Sequence, residues 1–136
     1  MTHASYFSLG AAVLALAILP AAVSAVEPIN FQIRHNADLV AVCSAQPDDP
    51  NYVAAIHFCH GVGVGLVRYQ EALQEGKDVE PIFCLPKSLT RTQAIEAYVA
   101  YSKAHPEYDQ EAVGNVQIKF LSETYPCAKA GSSVSR

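Results

Sequence analysis

Between Tyr52 and Val67 the chain carries no charged residue, and its strongly polar side chains there are His57 and His60. Tyr52, Ile56, Cys59, Gly63, Leu66 and Leu73 recur at three- and four-residue spacing, which places them along one face of a helix. Ala54, Phe58, Val62 and Val64 make the opposite face apolar as well. A helix that is apolar all round is expected to be surrounded by other elements. Asp49 and Pro50 supply a start signal, an acidic N-cap followed by proline at the first helical position. Residues 51–74 therefore read as a long central helix with shorter helices packed against it.

The first residues read differently. Residues 11–19 are a short apolar run, and Val23, Ser24 and Ala25 form a small-residue cleavage signature, which puts a signal-peptidase cut between Ala25 and Val26. The run is too short to span a bilayer as a retained anchor. An N-terminal anchor is the alternative, because the segment before the run has no Lys or Arg. The expected organisation is a signal peptide over 1–25, an extended lead over 26–35, a helical domain over 36–127 and a polar tail over 128–136. Export leaves no stable membrane insertion once the leader is removed. The 9 basic and 13 acidic residues all follow the leader and give a net charge of −4, against the basic face that nonspecific nucleic-acid binding needs.

All 4 cysteines also follow the leader, as expected for an oxidising compartment. None forms a C-x-x-C pair, so neither a redox motif nor a zinc knuckle is indicated. Cys43 and Cys59 flank the turn near Asn51 at similar distances, and in an antiparallel helical hairpin they come opposite each other. Cys84 precedes a third helix and Cys127 follows a fourth, so a second hairpin brings those two together. Cys43–Cys59 with Cys84–Cys127 is the favoured pairing. Cys43–Cys127 with Cys59–Cys84 is the rival.

Along the chain, Asn36 is a candidate N-cap for a short helix whose apolar side is Leu39, Val40 and Cys43. Gly61, Gly63 and Gly65 lie inside the central helix, each at a cost of up to about 1 kcal/mol against alanine. G-V-G-V-G is not a phosphate loop, since it lacks the G-x-G-x-x-G spacing and a following Lys-Ser/Thr. Close approach of another helix is the expected reason for these glycines. Thr90 with Gln93 forms a capping box for a helix carrying Ala94, Ile95, Tyr98, Val99 and Tyr101. That helix ends near Ala104, because Pro106 disfavours helix at His105. Asp109 is expected to cap a fourth helix with Val113, Val116, Phe120 and Leu121 inward. The fold class is all-α, a small disulfide-bonded four-helix bundle around a long central helix.

His57, Cys59 and His60 invite a catalytic or metal reading. A Cys–His nucleophile needs a free thiol, and two bridges leave none. Two histidines three apart make at most half a metal site, with no further ligand near in sequence. Asp48 and Asp49 sit in a turn with no apolar setting to raise a pKa. No catalytic residue, metal or cofactor is assigned, and the chain is not expected to be an enzyme.

Seven fragments fall in order along the chain: D-P-x-Y-V-A-A (49–55), F-C-H-G (58–61), Gly65, F-C-L-P (83–86), T-x-x-Q-A (90–94), A-H-P-E (104–107) and Y-P-C (125–127). Together with Cys43 they resemble the Rap/Tai (type VI amidase immunity) protein family, whose architecture is related to that of the acid-stress chaperone HdeA. The resemblance implies a periplasmic, disulfide-bonded protein, often a homodimer. It implies an immunity protein that inhibits a peptidoglycan amidase effector of type VI secretion by placing a surface segment in the enzyme's cleft. The contact segments expected here are the loops 45–50, 76–81 and 105–109, with Asp48, Asp49, Asp78, Glu80, Glu107 and Asp109 facing a basic cleft. The alternatives are an HdeA-like acid-stress chaperone and a periplasmic interaction domain.

Overall fold

Thr90 ends an extended segment, and its hydroxyl accepts the N–H of Gln93 at 3.2 Å while Gln93 Oε1 accepts the N–H of Thr90 at 3.0 Å. This reciprocal cap satisfies two of the orphan donors at a helix start. From it runs one of four α-helices in the computed structural model, which describes residues 25–75 and 79–128. The helices are α1 (Asn36–Cys43), α2 (Tyr52–Gln74), α3 (Arg91–Ala104) and α4 (Val113–Thr124), with 3-10 turns at Pro28–Gln32 and Pro106–Tyr108. No strand occurs among the described residues. The fold is all-α.

The centre of the domain is the short helix. α1 touches the first 3-10 turn, α2, α3 and α4. Asn36, Leu39, Val42 and Cys43 are all buried on it. Around them gather Val26, Ala55, Cys59, Phe83, Tyr98, Val113, Phe120 and Leu121. Leu39 is 0 % exposed, and full burial of such a side chain stabilises by about 1.5–3 kcal/mol. On α4 the inward residues are Val113, Val116, Phe120 and Leu121, spaced as one helical stripe.

α2 has the expected length but not the expected enclosure. Ala55 and Cys59 are its buried residues, whereas Val53 is 67 % exposed and Tyr69 62 %. One face lies on α1 and α3, and the rest faces outward. Its glycines are not explained by close packing. A Cβ added at Gly61, Gly63 or Gly65 meets nothing within 4 Å, so no other helix crosses there. With that space open, Gly61→Ala and Gly65→Ala are each expected to stabilise the helix by about 0.5–1 kcal/mol. Thermal unfolding monitored by circular dichroism checks this. A fall in Tm would instead place another chain over that face.

Several boundaries shift from their sequence reading. Residues 26–35 are not an extended lead: Pro28 presets the first helical φ, Asn30 Oδ1 accepts the Glu27 N–H at 2.9 Å, and a 3-10 turn forms. That turn carries Phe31 edge-on to Phe58, ring centroids 5.4 Å apart. His35, not Asn36, is the N-cap of α1. Asn36 is instead the first helical residue and lies buried. Asp49 does not cap α2, because it sits in the turn before it and Asn51 takes the cap position. Asp109 does not cap α4, because Pro106 opens a separate 3-10 turn and the helix starts at Val113 after Ala112.

Two disulfides join the pieces. Cys43–Cys59 ties α1 to α2, and Cys84–Cys127 ties the segment before α3 to the segment after α4. Beside the second bridge the Cys84 N–H donates to the Tyr125 carbonyl at 2.8 Å. Gln70 anchors the same segment to α2, donating to the Phe83 carbonyl at 3.0 Å and accepting from the Ile82 N–H at 2.9 Å.

Candidate protein-binding surface

The first backbone N–H groups of a helix have no partner within it. On α1 these are met from outside: Asn36 N–H donates to the Glu111 carbonyl at 2.8 Å and Ala37 N–H to the Asp109 carbonyl at 3.0 Å. The α3–α4 connection is thereby drawn onto the start of α1. The α1–α2 turn lies close by, and the two segments border a hollow of about 670 Å³ whose walls include Asp48, Asp49, Lys103 and Asp109. Two of the three expected contact loops, 45–50 and 105–109, are therefore neighbours.

Their acidic residues play different parts. Asp48 and Glu107 are exposed, and Asp109 is half-buried. Asp49 is engaged in the scaffold: its Oδ1 accepts the Asn51 N–H and its Oδ2 the Val26 N–H, each at 2.7 Å. Glu80 is exposed but does not border the hollow. Asp78 lies outside the described residues.

Beside these loops is an aromatic group. The His105 ring packs against both Tyr101, at 4.6 Å, and Tyr108, stacked at 5.3 Å, and the two tyrosine rings stack on each other at 6.4 Å. Lys119 Nζ sits 5.5 Å from the centre of the Tyr108 ring, within cation–π range. His105 Nδ1 and Glu107 Oε1 are 2.9 Å apart, and this bond holds the Glu107 carboxyl below the usual glutamate range. Tyr101 donates to Glu123 at 2.7 Å and Lys119 to the same carboxylate at 2.8 Å. Desolvation, then the bond to Glu123 and its charge, push the Tyr101 hydroxyl up to about 12. Tyr and its amphipathic relatives are enriched where proteins dock, because they offer area at small entropic cost. The sequence reading names Tyr101 only as a residue carried by α3, and nothing in the spacing indicates that Pro106 folds His105 and Tyr108 back onto it.

The Lys119 bond is the leading cause of a lowered Glu123 pKa, with the Tyr101 bond next. A carboxylate lowered in the folded state stabilises the fold above its unfolded pKa, and that contribution is lost as pH falls through the folded value. Titration of the side-chain carboxyl by NMR is expected to show a Glu123 midpoint below the ordinary value of about 4.3. Lys119→Met should move it upward. An unchanged midpoint in that variant would assign the shift to another neighbour.

His57 is exposed and His60 half-buried, and Cys59 is in a disulfide, with no free cysteine among the described residues. No group of three His, Cys, Asp or Glu residues gathers as a metal site among the described residues. His60 borders a second hollow of about 260 Å³ between α2 and α3, lined by Val64, Val67, Leu85, Ile95 and Phe120. No helix of the described residues is long and apolar enough to cross a membrane.

A family model described as Rap1a immunity proteins matches residues 35–127. The chain belongs to the Rap1a immunity protein family. The matched span runs from the N-cap of α1 to Cys127 of the second bridge and so covers all four helices and both disulfides. The 3-10 turn Pro28–Gln32 precedes it. No curated protein and no solved structure matches the chain. An immunity family implies a protein partner, the effector, and inhibition by binding rather than catalysis. Two disulfides accord with a compartment outside the reducing cytosol.

Proposed function

We propose that this protein is an exported periplasmic immunity protein that binds and inhibits a peptidoglycan amidase effector of type VI secretion. The observation that carries this reading is the Rap1a family match across the whole disulfide-bonded domain. The contact surface in this reading is the end of the molecule where the 45–50 and 105–109 loops meet. Asp48 and Glu107 supply exposed negative charge there, and Tyr108 with His105 supplies a stacked apolar surface beside it. Charges at the rim of an interface act chiefly on the encounter rate, and buried aromatic side chains on the residence time.

Purified protein titrated against an amidase effector encoded beside it is expected to abolish cell-wall hydrolysis near a one-to-one ratio. Absence of inhibition at excess would overturn the reading. The charge-reversed double variant Asp48→Lys/Glu107→Lys is expected to slow association by about tenfold at low salt. The loss should shrink as salt is raised. A dissociation rate that changes more than the association rate would move the contact to other residues.

A further inference from the structure

Among the described residues Val26 is the first seated in the core, at 3 % exposure, whereas Ala25 before it is exposed. The backbone of Val26 is held on both sides by the α1–α2 turn. Its N–H donates to Asp49 Oδ2 at 2.7 Å, and its carbonyl accepts from Asn51 Nδ2 at 2.9 Å. Asp49 is fixed in turn by accepting the Asn51 N–H on its other oxygen. Ala25 lies in the wall of the 670 Å³ hollow, which carries Asp48, Asp49 and Asp109 against a single base, Lys103. The hydroxyls of Ser44 and Ser102 belong to the same wall and have no hydrogen-bond partner among the described residues. Through Ala25 and Asp49 the Val26 nitrogen thus lies beside a polar recess in which acids outnumber bases.

We propose that signal-peptidase cleavage between Ala25 and Val26 creates a structural ion pair between the new α-ammonium of Val26 and the carboxylate of Asp49. Water adds across the peptide bond, Ala25 leaves as a carboxylate, and the Val26 nitrogen becomes an amine that is protonated at neutral pH, since α-amino groups titrate near about 8. Before the cut that nitrogen has one N–H, already given to Asp49. Afterwards it has three donors and a full positive charge at the same point. Charge-assisted hydrogen bonds are about twice as strong as neutral ones. Loss of Ala25 opens the recess to water, so the two further donors are not left buried and unpaired. Because Val26 is buried in the folded domain, the bond is cut before the N-terminal segment docks, and docking then locks the processed end in place. The inference rests on the exported reading above and not on which effector is bound.

The test uses the full chain exported with its own leader. Intact mass is expected to place the start of the mature protein at Val26. Thermal unfolding at neutral pH is then compared with a chain that retains Ser24 and Ala25 ahead of Val26, each with and without Asp49→Asn. The mature start is expected to melt several degrees higher, and Asp49→Asn, which keeps the oxygen facing Asn51, should remove that advantage. Enzymatic Nα-acetylation of the mature protein should remove it as well, with Asp49 intact, and serves where the variant does not fold. A start other than Val26, equal melting of the two chain starts, or an advantage that survives either change would overturn the proposal. Effector inhibition is read separately, so failure here and failure of the immunity reading are distinguishable.

Discussion

Replacing both Cys84 and Cys127 by alanine is expected to lower the melting temperature by about 15 °C. The bridge spans 43 residues, and in the chain-entropy account a loop of that length stabilises by about 4 kcal/mol. For a domain of this size each kcal/mol corresponds to about 4 °C or more. The segment it holds has few other ties: residues 79–90 form no helix, and besides the bridge they are held through Phe83, at 2 % exposure, the packing of Leu85, the Cys84–Tyr125 backbone bond and the Gln70 bonds. The Cys43–Cys59 loop is shorter, with a separation of 16, and its entropic term is about 3 kcal/mol. Both of its cysteines are buried, however, so their replacement also leaves poorly filled space in the core. Circular dichroism melts of the two double variants, with the parent under reducing conditions as reference, check these values. A parent protein indifferent to reductant would overturn the account.

Phe120→Ala is expected to destabilise by about 3–5 kcal/mol, the usual range for a buried aromatic side chain. Phe120 lies edge-on to Tyr98 and Tyr125, at 5.6 and 5.9 Å, and 5.4 Å from Tyr101. It therefore joins α4 to α3 and packs against Tyr125, the residue that ends α4. Tyr98 extends this joint to α1, donating to buried Asn36 Oδ1 at 2.5 Å. Burial pushes the Tyr98 hydroxyl up to about 12. Urea unfolding should show the loss as a lower midpoint, with a smaller loss, about 1–3 kcal/mol, for Tyr98→Phe, which leaves Asn36 without its donor. A Phe120→Ala loss below that of Tyr98→Phe would shift the joint from the ring to the hydrogen bond.

The periodic stretches are legible in the sequence alone. α2 and α3 end where glycine and proline signals put the stops, at Gln74 and Ala104, and the Thr90–Gln93 cap is a local chemical device readable from two residues. The inward stripe of α4 was equally plain. Burial was not. α2 is rich in valine, alanine and glycine, and composition alone cannot tell an enclosed helix from one with a bare side. α1 reads as a minor helix because it has two turns, yet its position between the other elements makes it the core. Start signals failed at Asp49 and Asn36, whose places are set by tertiary bonds to Val26, Glu111 and Tyr98 that no local pattern encodes. The segments 45–50 and 105–109 were legible as connections between helices. Their meeting at one end depends on the outside partners of the α1 N-terminus.

The two bridges join the first cysteine to the second and the third to the fourth, so the loops they close lie side by side along the chain and neither encloses the other. For a polypeptide threaded N-terminus first into an oxidising space, native pairing is then simply order of arrival. A disulfide donor that couples each thiol to the next one to appear yields the correct set, and no later exchange by an isomerase is required. The rival arrangement would have kept Cys43 waiting for Cys127 until the last helix had emerged. This topology confines each oxidation to its own half of the molecule, so an error in the later half leaves the α1–α2 hairpin intact.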